Sequence, residues 1–256
     1  MGIVKEPFGK SPDSREVFSY KITNKNQMSI SVSDFGATLV KILVPDREGR
    51  TRDVALGYDS AEGYYDNPCH FGAIIGRNGN RIGKARFTLN GKEYQLAVND
   101  NENNLHSGPD WYRTRVWEVK KVDQEQNAVT FGLTSPDMDQ GFPGTFTVQV
   151  TYTLTDENEI QIHYEGEADQ DTIVNMTNHS YFNLAGHNAG PEVLLDHQVQ
   201  ILAPEYTPVT DSQSIPTGEI APVAGTPMDF QTLKRIGQDL EADFQQLKFG
   251  GGYDHN

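Results

Sequence analysis

Period-two alternation of apolar and polar side chains dominates the chain, and it predicts strands. Residues 17–22 and 28–32 alternate in this way. Asp34-Phe35-Gly36-Ala37 breaks the second run, which resumes at 38–44 and stops at Pro45. Residues 54–58 read as another short strand. Arg86-Phe87-Thr88-Leu89 and the run 92–96 flank Asn90-Gly91, the preferred pair for a tight hairpin turn. The clearest pattern lies at 145–166. Phe146, Val148, Val150, Tyr152 and Leu154 share one face; after an Asp156-Glu157-Asn158 turn, Ile160, Ile162 and Tyr164 share one too. That is an antiparallel pair with one buried side, leaving His163 on the solvated face. The run 171–174 reads as strand-like, and Val199 and Ile201 suggest a further strand before Pro204. One helix is predicted over 233–247, where Leu233, Ile236, Leu240, Phe244 and Leu247 recur at three- and four-residue steps before Gly250-Gly251-Gly252, although Gly237 interrupts it. That stripe reads as core packing. Many strands, little helix, no repeat and no βαβ alternation predict an all-β fold. The expected form is a large antiparallel β-sandwich with few short helices, forming one domain across residues 1–256.

Composition narrows the partners. The 256 residues carry a formal net charge of −15, which excludes the basic face that nucleic acid requires and disfavours anionic lipid. The acidity reads mainly as a contribution to solubility. Cys69 is the single cysteine, so no intramolecular disulfide is possible and a reducing compartment is expected. The first residues have no apolar run of the signal-peptide kind, Glu6 stands where myristoylation needs Ser or Thr, and no stretch approaches a membrane span. The expectation is a cytoplasmic protein with no membrane partner.

Candidate chemistry sits in four polar clusters. The first, Asn175-Met176-Thr177-Asn178-His179-Ser180-Tyr181-Phe182-Asn183, crowds amides, hydroxyls and one imidazole into a strand-like context that normally depletes them. Only His179 there exchanges a proton near neutral pH. Gly76-Arg77-Asn78-Gly79-Asn80-Arg81-Ile82-Gly83 is glycine-rich, but Gly83-Lys84 is followed by Ala85, so it is no phosphate loop. It reads either as a solvated turn or as a tight turn presenting Asn80 and Arg81. Asn103-Asn104-Leu105-His106-Ser107-Gly108-Pro109-Asp110-Trp111 has the amides and the aromatic face that suit a polyhydroxylated ligand, though Trp111 suits a core equally. In Gly252-Tyr253-Asp254-His255, Asp254 is placed to accept hydrogen bonds from a diol. No histidine pair has zinc spacing, and no nucleophile elbow is present. These residues alone support a polar ligand, a sugar among the options, with acid–base chemistry.

Asn80-Arg81-Ile82, Asn104-Leu105-His106, Thr177-Asn178-His179-Ser180-Tyr181-Phe182-Asn183-Leu184 and Gly252-Tyr253-Asp254-His255 resemble, in order and spacing, the signatures of the aldose 1-epimerase (galactose mutarotase) family. Asp34-Phe35-Gly36-Ala37-Thr38-Leu39, Asp53-Val54-Ala55-Leu56-Gly57-Tyr58 and Gly141-Phe142-Pro143-Gly144 support the match, which covers nearly the whole chain. The resemblance implies a mutarotase-like supersandwich that interconverts the α and β anomers of free hexoses such as galactose and glucose. In it, the histidine matching His179 is the general acid, and Asn80, Arg81, His106 and Asp254 bind the sugar. Ser180 and Tyr181, beside His179, join them as substrate-binding candidates. The family needs no metal or cofactor. Its general base is a glutamate in a Leu-Glu-Thr-Gln-like motif near the C-terminus; no glutamate here has a matching context, so the base and the last strands are expected beyond residue 256. A sugar-binding module without catalysis and a hexose-phosphate epimerase are the alternatives. A monomer or weak dimer is expected.

Overall fold

The computed structural model describes residues 2–254, so His255 of the last motif lies outside the described residues. The first alternating runs form an antiparallel meander: β1 (Gly2–Lys10), β2 (Glu16–Thr23), β3 (Ser29–Ser33), β4 (Thr38–Pro45) and β5 (Thr51–Asp53), paired in that order. Short strands follow: β6 (Ile74–Ile75), β7 (Arg81–Ile82), β8 (Arg86–Leu89), β9 (Lys92–Gln95) and β10 (Asn104–Leu105). A second meander then comprises β11 (Glu118–Asp123), β12 (Ala128–Ser135), β13 (Phe146–Leu154) and β14 (Ile160–Ala168). The two-residue strand β15 (Thr177–Asn178) pairs with β6, and β7 pairs with β10.

The two meanders share one core. Tyr20, Ile22, Ile30, Val32 and Leu39 of the first sheet are buried with Val129, Phe131, Val148, Val150 and Tyr152 of the second, and Trp117 joins them. Period two makes this possible, because alternate residues of a strand all face one side. Each large apolar side chain so buried contributes roughly 1.5–3 kcal/mol. Tyr152 is wholly buried, and its hydroxyl donates to the Ala37 carbonyl across the core at 2.7 Å, so its polar atom is satisfied. The result is the expected β-sandwich.

Several local expectations hold. The β8–β9 hairpin turns at Asn90 and Gly91, whose φ angles of 52° and 77° are those of a tight primed turn. The inward face of β13 is buried, the half-buried Ile160, Ile162 and Tyr164 of β14 pack beside it, and His163 is exposed. Others fail. Residues 54–58 form no strand; Ala55 makes one bridge to Phe182 and the chain then turns. The run 171–174 joins no ladder, and Ile201 lies outside any strand. The helix predicted over 233–247 shrinks to α1 (Gln245–Gly250), closed by Gly251 at φ 65°. Upstream, Lys234–Arg235 pairs as a strand with Gln198–Val199, and a 3-10 turn at Ile236–Gln238 follows. Gly237 weakens helical propensity there, and the tertiary pairing takes over. No helix among the described residues is long and apolar enough to cross a membrane.

Candidate active site

The candidate residues sit at the ends of the shortest ladders. In β7–β10, Leu105 lies opposite Arg81 and Asn104 opposite Ile82, which brings Asn80 against His106. The His106 N–H donates to the Asn80 carbonyl at 2.9 Å, and the Asn80 N–H donates to His106 Nδ1 at 2.9 Å. Both residues have positive φ, 61° and 55°, a conformation that asparagine and histidine adopt more readily than most. Because Nδ1 accepts a hydrogen bond, the neutral His106 ring carries its proton on Nε2 and is a donor there.

His179 follows β15. Its N–H donates to the Ala73 carbonyl at 2.9 Å and its carbonyl accepts from Gly72 at 3.2 Å. The crowded amides around it hold the backbone rather than a ligand. Asn178 Nδ2 donates to the Gly72 carbonyl at 2.9 Å and Asn178 Oδ1 accepts from the Ser180 N–H at 3.1 Å. Asn183 is buried, and its Oδ1 caps the Ala185 N–H at 3.0 Å. These bonds leave the His179 imidazole to face the cleft.

Asn80, His106, Asn175, Thr177, Asn178, His179, Ser180, Tyr181 and Asp254 line one cleft of about 470 Å³. Arg81 lines an adjoining recess that shares Gly79, Asn80 and Asn175 with it. Every candidate residue read from the sequence therefore falls in one region, although the chain separates Asn80 from Asp254 by most of its length. Arg81 is held by Asp100, Nε to Oδ2 at 2.7 Å. Tyr253 packs edge-on against Phe230 at 5.0 Å between ring centroids, which anchors the segment bearing Asp254. Asn80 Oδ1 and Ser180 Oγ are buried without hydrogen-bond partners. Such atoms are costly to leave unpaired.

Sequence reading missed two residues. His70 ends a turn that buried Asn67 locks by accepting from the Phe71 N–H at 2.9 Å. Its ring lies 5.0 Å from that of His106, 5.5 Å from His179 and 5.6 Å from Trp111; His106 and His179 are 5.1 Å apart. Behind Trp111, the Arg113 guanidinium stacks on the indole at 4.4 Å. The only signal at His70 was an imidazole in a turn-rich run, Asn67-Pro68-Cys69-His70-Phe71-Gly72. Nothing local joined it to residues further along the chain.

The imidazoles differ in how readily they would take a proton. Burial, helped by His179 and Arg81, pushes His106 down to about 4, against the pull of Asp100. Burial, with Arg113, His106 and His179 beside it, pushes His70 down to about 3. Burial also lowers His179, but a hydrogen bond at its own backbone and the Asp254 carboxylate oppose that. At the pH of ordinary metabolism, His179 is the imidazole of the three best placed to hold a proton. No group of three or more His, Cys, Asp or Glu among the described residues could hold a metal ion.

Residues 19–256 match the family model described as aldose 1-epimerase. The chain is 40% identical to galactose mutarotase from Bos taurus, over all of this chain and 71% of the relative. It is also 40% identical to aldose 1-epimerase from Escherichia coli K12, over 96% of this chain and 69% of the relative. The crystal structure of galactose 1-epimerase from Lactobacillus acidophilus NCFM superposes with a TM-score of 0.86 at 28% identity, over 98% of this chain and 71% of that one. The chain belongs to the aldose 1-epimerase family.

Proposed function

We propose that the protein interconverts the α and β anomers of a free hexose, with galactose and glucose as the first substrates to test. The observation that carries this reading is the asymmetry of the imidazoles: His106 is locked as a neutral Nε2–H donor, while His179 faces the cleft with Asp254 nearby to support its positive form. Ring opening needs that division. The anomeric O1–H loses a proton, the ring oxygen gains one, and the C1–O5 bond breaks to give the open aldehyde. Rotation about C1–C2 exposes the other carbonyl face, and closure reverses both transfers. His179 gives the proton to the ring oxygen; a positioned general acid of this kind contributes roughly 10²–10⁴-fold. His106, Asn80, Arg81, Ser180, Tyr181 and Asp254 bind the hydroxyls. The reaction also requires a base for O1–H. Asp254 is the carboxylate lining the cleft among the described residues, and the family resemblance assigns the base to a glutamate motif that these residues do not contain.

The Arg81–Asp100 pair favours a neutral sugar over a phosphorylated one, because the arginine's charge is already matched. A reducing, cytoplasmic setting fits the single exposed Cys69. The test is polarimetry of freshly dissolved α-D-galactose with protein expressed from its complete gene. Catalysed relaxation to the equilibrium rotation is expected. Relaxation at the spontaneous rate, with sugar binding retained, would replace this reading with that of a non-catalytic sugar-binding module.

A further inference from the structure

We propose that His70 is a positioning residue for the proton: an uncharged imidazole that, backed by Arg113, closes the wall behind His106 and His179 and keeps the cleft's one mobile proton on His179. The inference rests on the acid–base reading above and deepens it.

Three imidazoles with centroids 5.0 to 5.5 Å apart form a closed triangle. At such distances two of them cannot be charged together without strong repulsion, so the cluster takes up at most one added proton and something must decide its place. Hydrogen bonding decides against His106, whose Nδ1 is committed to the Asn80 N–H. At His70 the decision falls to burial and to Arg113. His70 is 9% exposed, and its Nδ1 is buried without a hydrogen-bond partner, so no acceptor there stabilises an added proton. Arg113 is 6% exposed, and its Nε and Nη1 are also buried and unpartnered. Its charge is therefore little screened, and it repels a proton from the neighbouring ring. Asp66 and Tyr58 are the ionisable groups that offset Arg113. Arg81 and Asp100 face His106, and Asp254 supports charge on His179. Cys69, next to His70 in the chain, is exposed and acts on Tyr181.

The backbone of His70 also holds the frame. The Ala73 N–H donates to the His70 carbonyl at 3.1 Å, and Ala73 in turn accepts the His179 N–H at 2.9 Å. The turn that carries His70 thus sets the position of His179.

The test follows histidine ring protonation by long-range proton–nitrogen NMR between pH 7.5 and 4.5, in the protein from its complete gene. In the wild type, His179 is expected to gain a proton while His70 and His106 stay neutral through the upper part of that range. In Arg113→Met, His70 should begin to titrate, lowering the apparent pKa of His179 by roughly one unit through repulsion and broadening the acid limb of the kcat/KM profile. Adding His70→Phe, which keeps a ring but accepts no proton, should restore the wild-type limb. A merely structural role for Arg113 would lower activity without adding a titration, and that result overturns the proposal. If Arg113→Met does not fold, the wild type alone decides: protonation of His70 before His179 overturns it as well. The NMR readouts need no turnover. A protein with the expected titration order and no anomer exchange would sink the functional reading and leave the charge assignment standing.

Discussion

Asn80 offers the sharpest separation of strain from binding. Its φ of 61° is left-handed, its N–H fixes the His106 tautomer at 2.9 Å, and its Oδ1 is buried with no partner. Alanine at this position keeps the N–H but pays the left-handed penalty of about 1 kcal/mol, which in a chain of this size lowers Tm by roughly 2–4 °C. It also deletes the side-chain amide proposed to bind a sugar hydroxyl. A neutral hydrogen bond contributes about 0.5–1.5 kcal/mol, so KM should rise roughly 2- to 13-fold. Asn80→Gly accepts the positive φ, but frees the unfolded chain at about 0.4–1 kcal/mol. Its Tm should lie between those of the alanine variant and the wild type, while its KM rises as much as for alanine. Thermal melts and initial rates by polarimetry over a range of galactose concentrations measure both quantities. Wild-type KM in both variants would remove the Asn80 side chain from the binding site. A glycine variant less stable than the alanine one would refute the strain argument.

Three further predictions follow from single contacts. His179→Asn should lower kcat about 10²–10⁴-fold with KM changed only a few-fold, read by polarimetry; a near-wild-type kcat would exclude it as the acid. Asp100→Asn frees the Arg81 guanidinium from its 2.7 Å partner and should raise KM several-fold with kcat held, as seen in saturation curves at fixed ionic strength. Asp34 is buried and accepts the Phe18 N–H at 2.9 Å, and burial lifts its carboxyl to about 6 against the pull of that bond and of Lys5. Because the folded pKa lies above the unfolded one, its contribution to stability is full below about 4 and lost as pH rises through 6. Asp34→Asn should therefore melt higher than the wild type at pH 7.5, by up to about 3 kcal/mol of stability, and show little advantage at pH 4; equal melts at both would rule out the buried charge.

Legibility followed the range of the interactions. The β8–β9 hairpin was readable because Asn90 and Gly91 make their own turn, and β13 because burial on one face writes a period of two into its side chains. The helix expected at 233–247 was misread because a distant pairing with Gln198–Val199 competes for its first turn, and no local propensity reports a partner so far away. The members of the site were readable as motifs. Their juxtaposition was not, since it depends on two-residue ladders too short to leave any periodic trace.

The amides around His179 carry the larger lesson. Their density suggested groups aimed at a ligand, yet Asn178 and Asn183 spend their hydrogen bonds on Gly72, Ser180 and Ala185. A cleft made from loops rather than long strands has many backbone groups that no ladder satisfies, and buried ones must find partners. Side-chain amides supply them, which fixes the loops without regular structure. The groups proposed to act on a sugar are then the few left over: the Asn80 and Ser180 side chains and the three imidazoles. Among those imidazoles, rigidity turns into chemistry. A His106 ring tied to a backbone N–H cannot take a second proton without breaking that bond, and a His70 ring set before a buried arginine gains nothing by taking one. In the proposed mechanism the scaffold thereby selects His179 as the acid by making protonation of its two neighbours unfavourable.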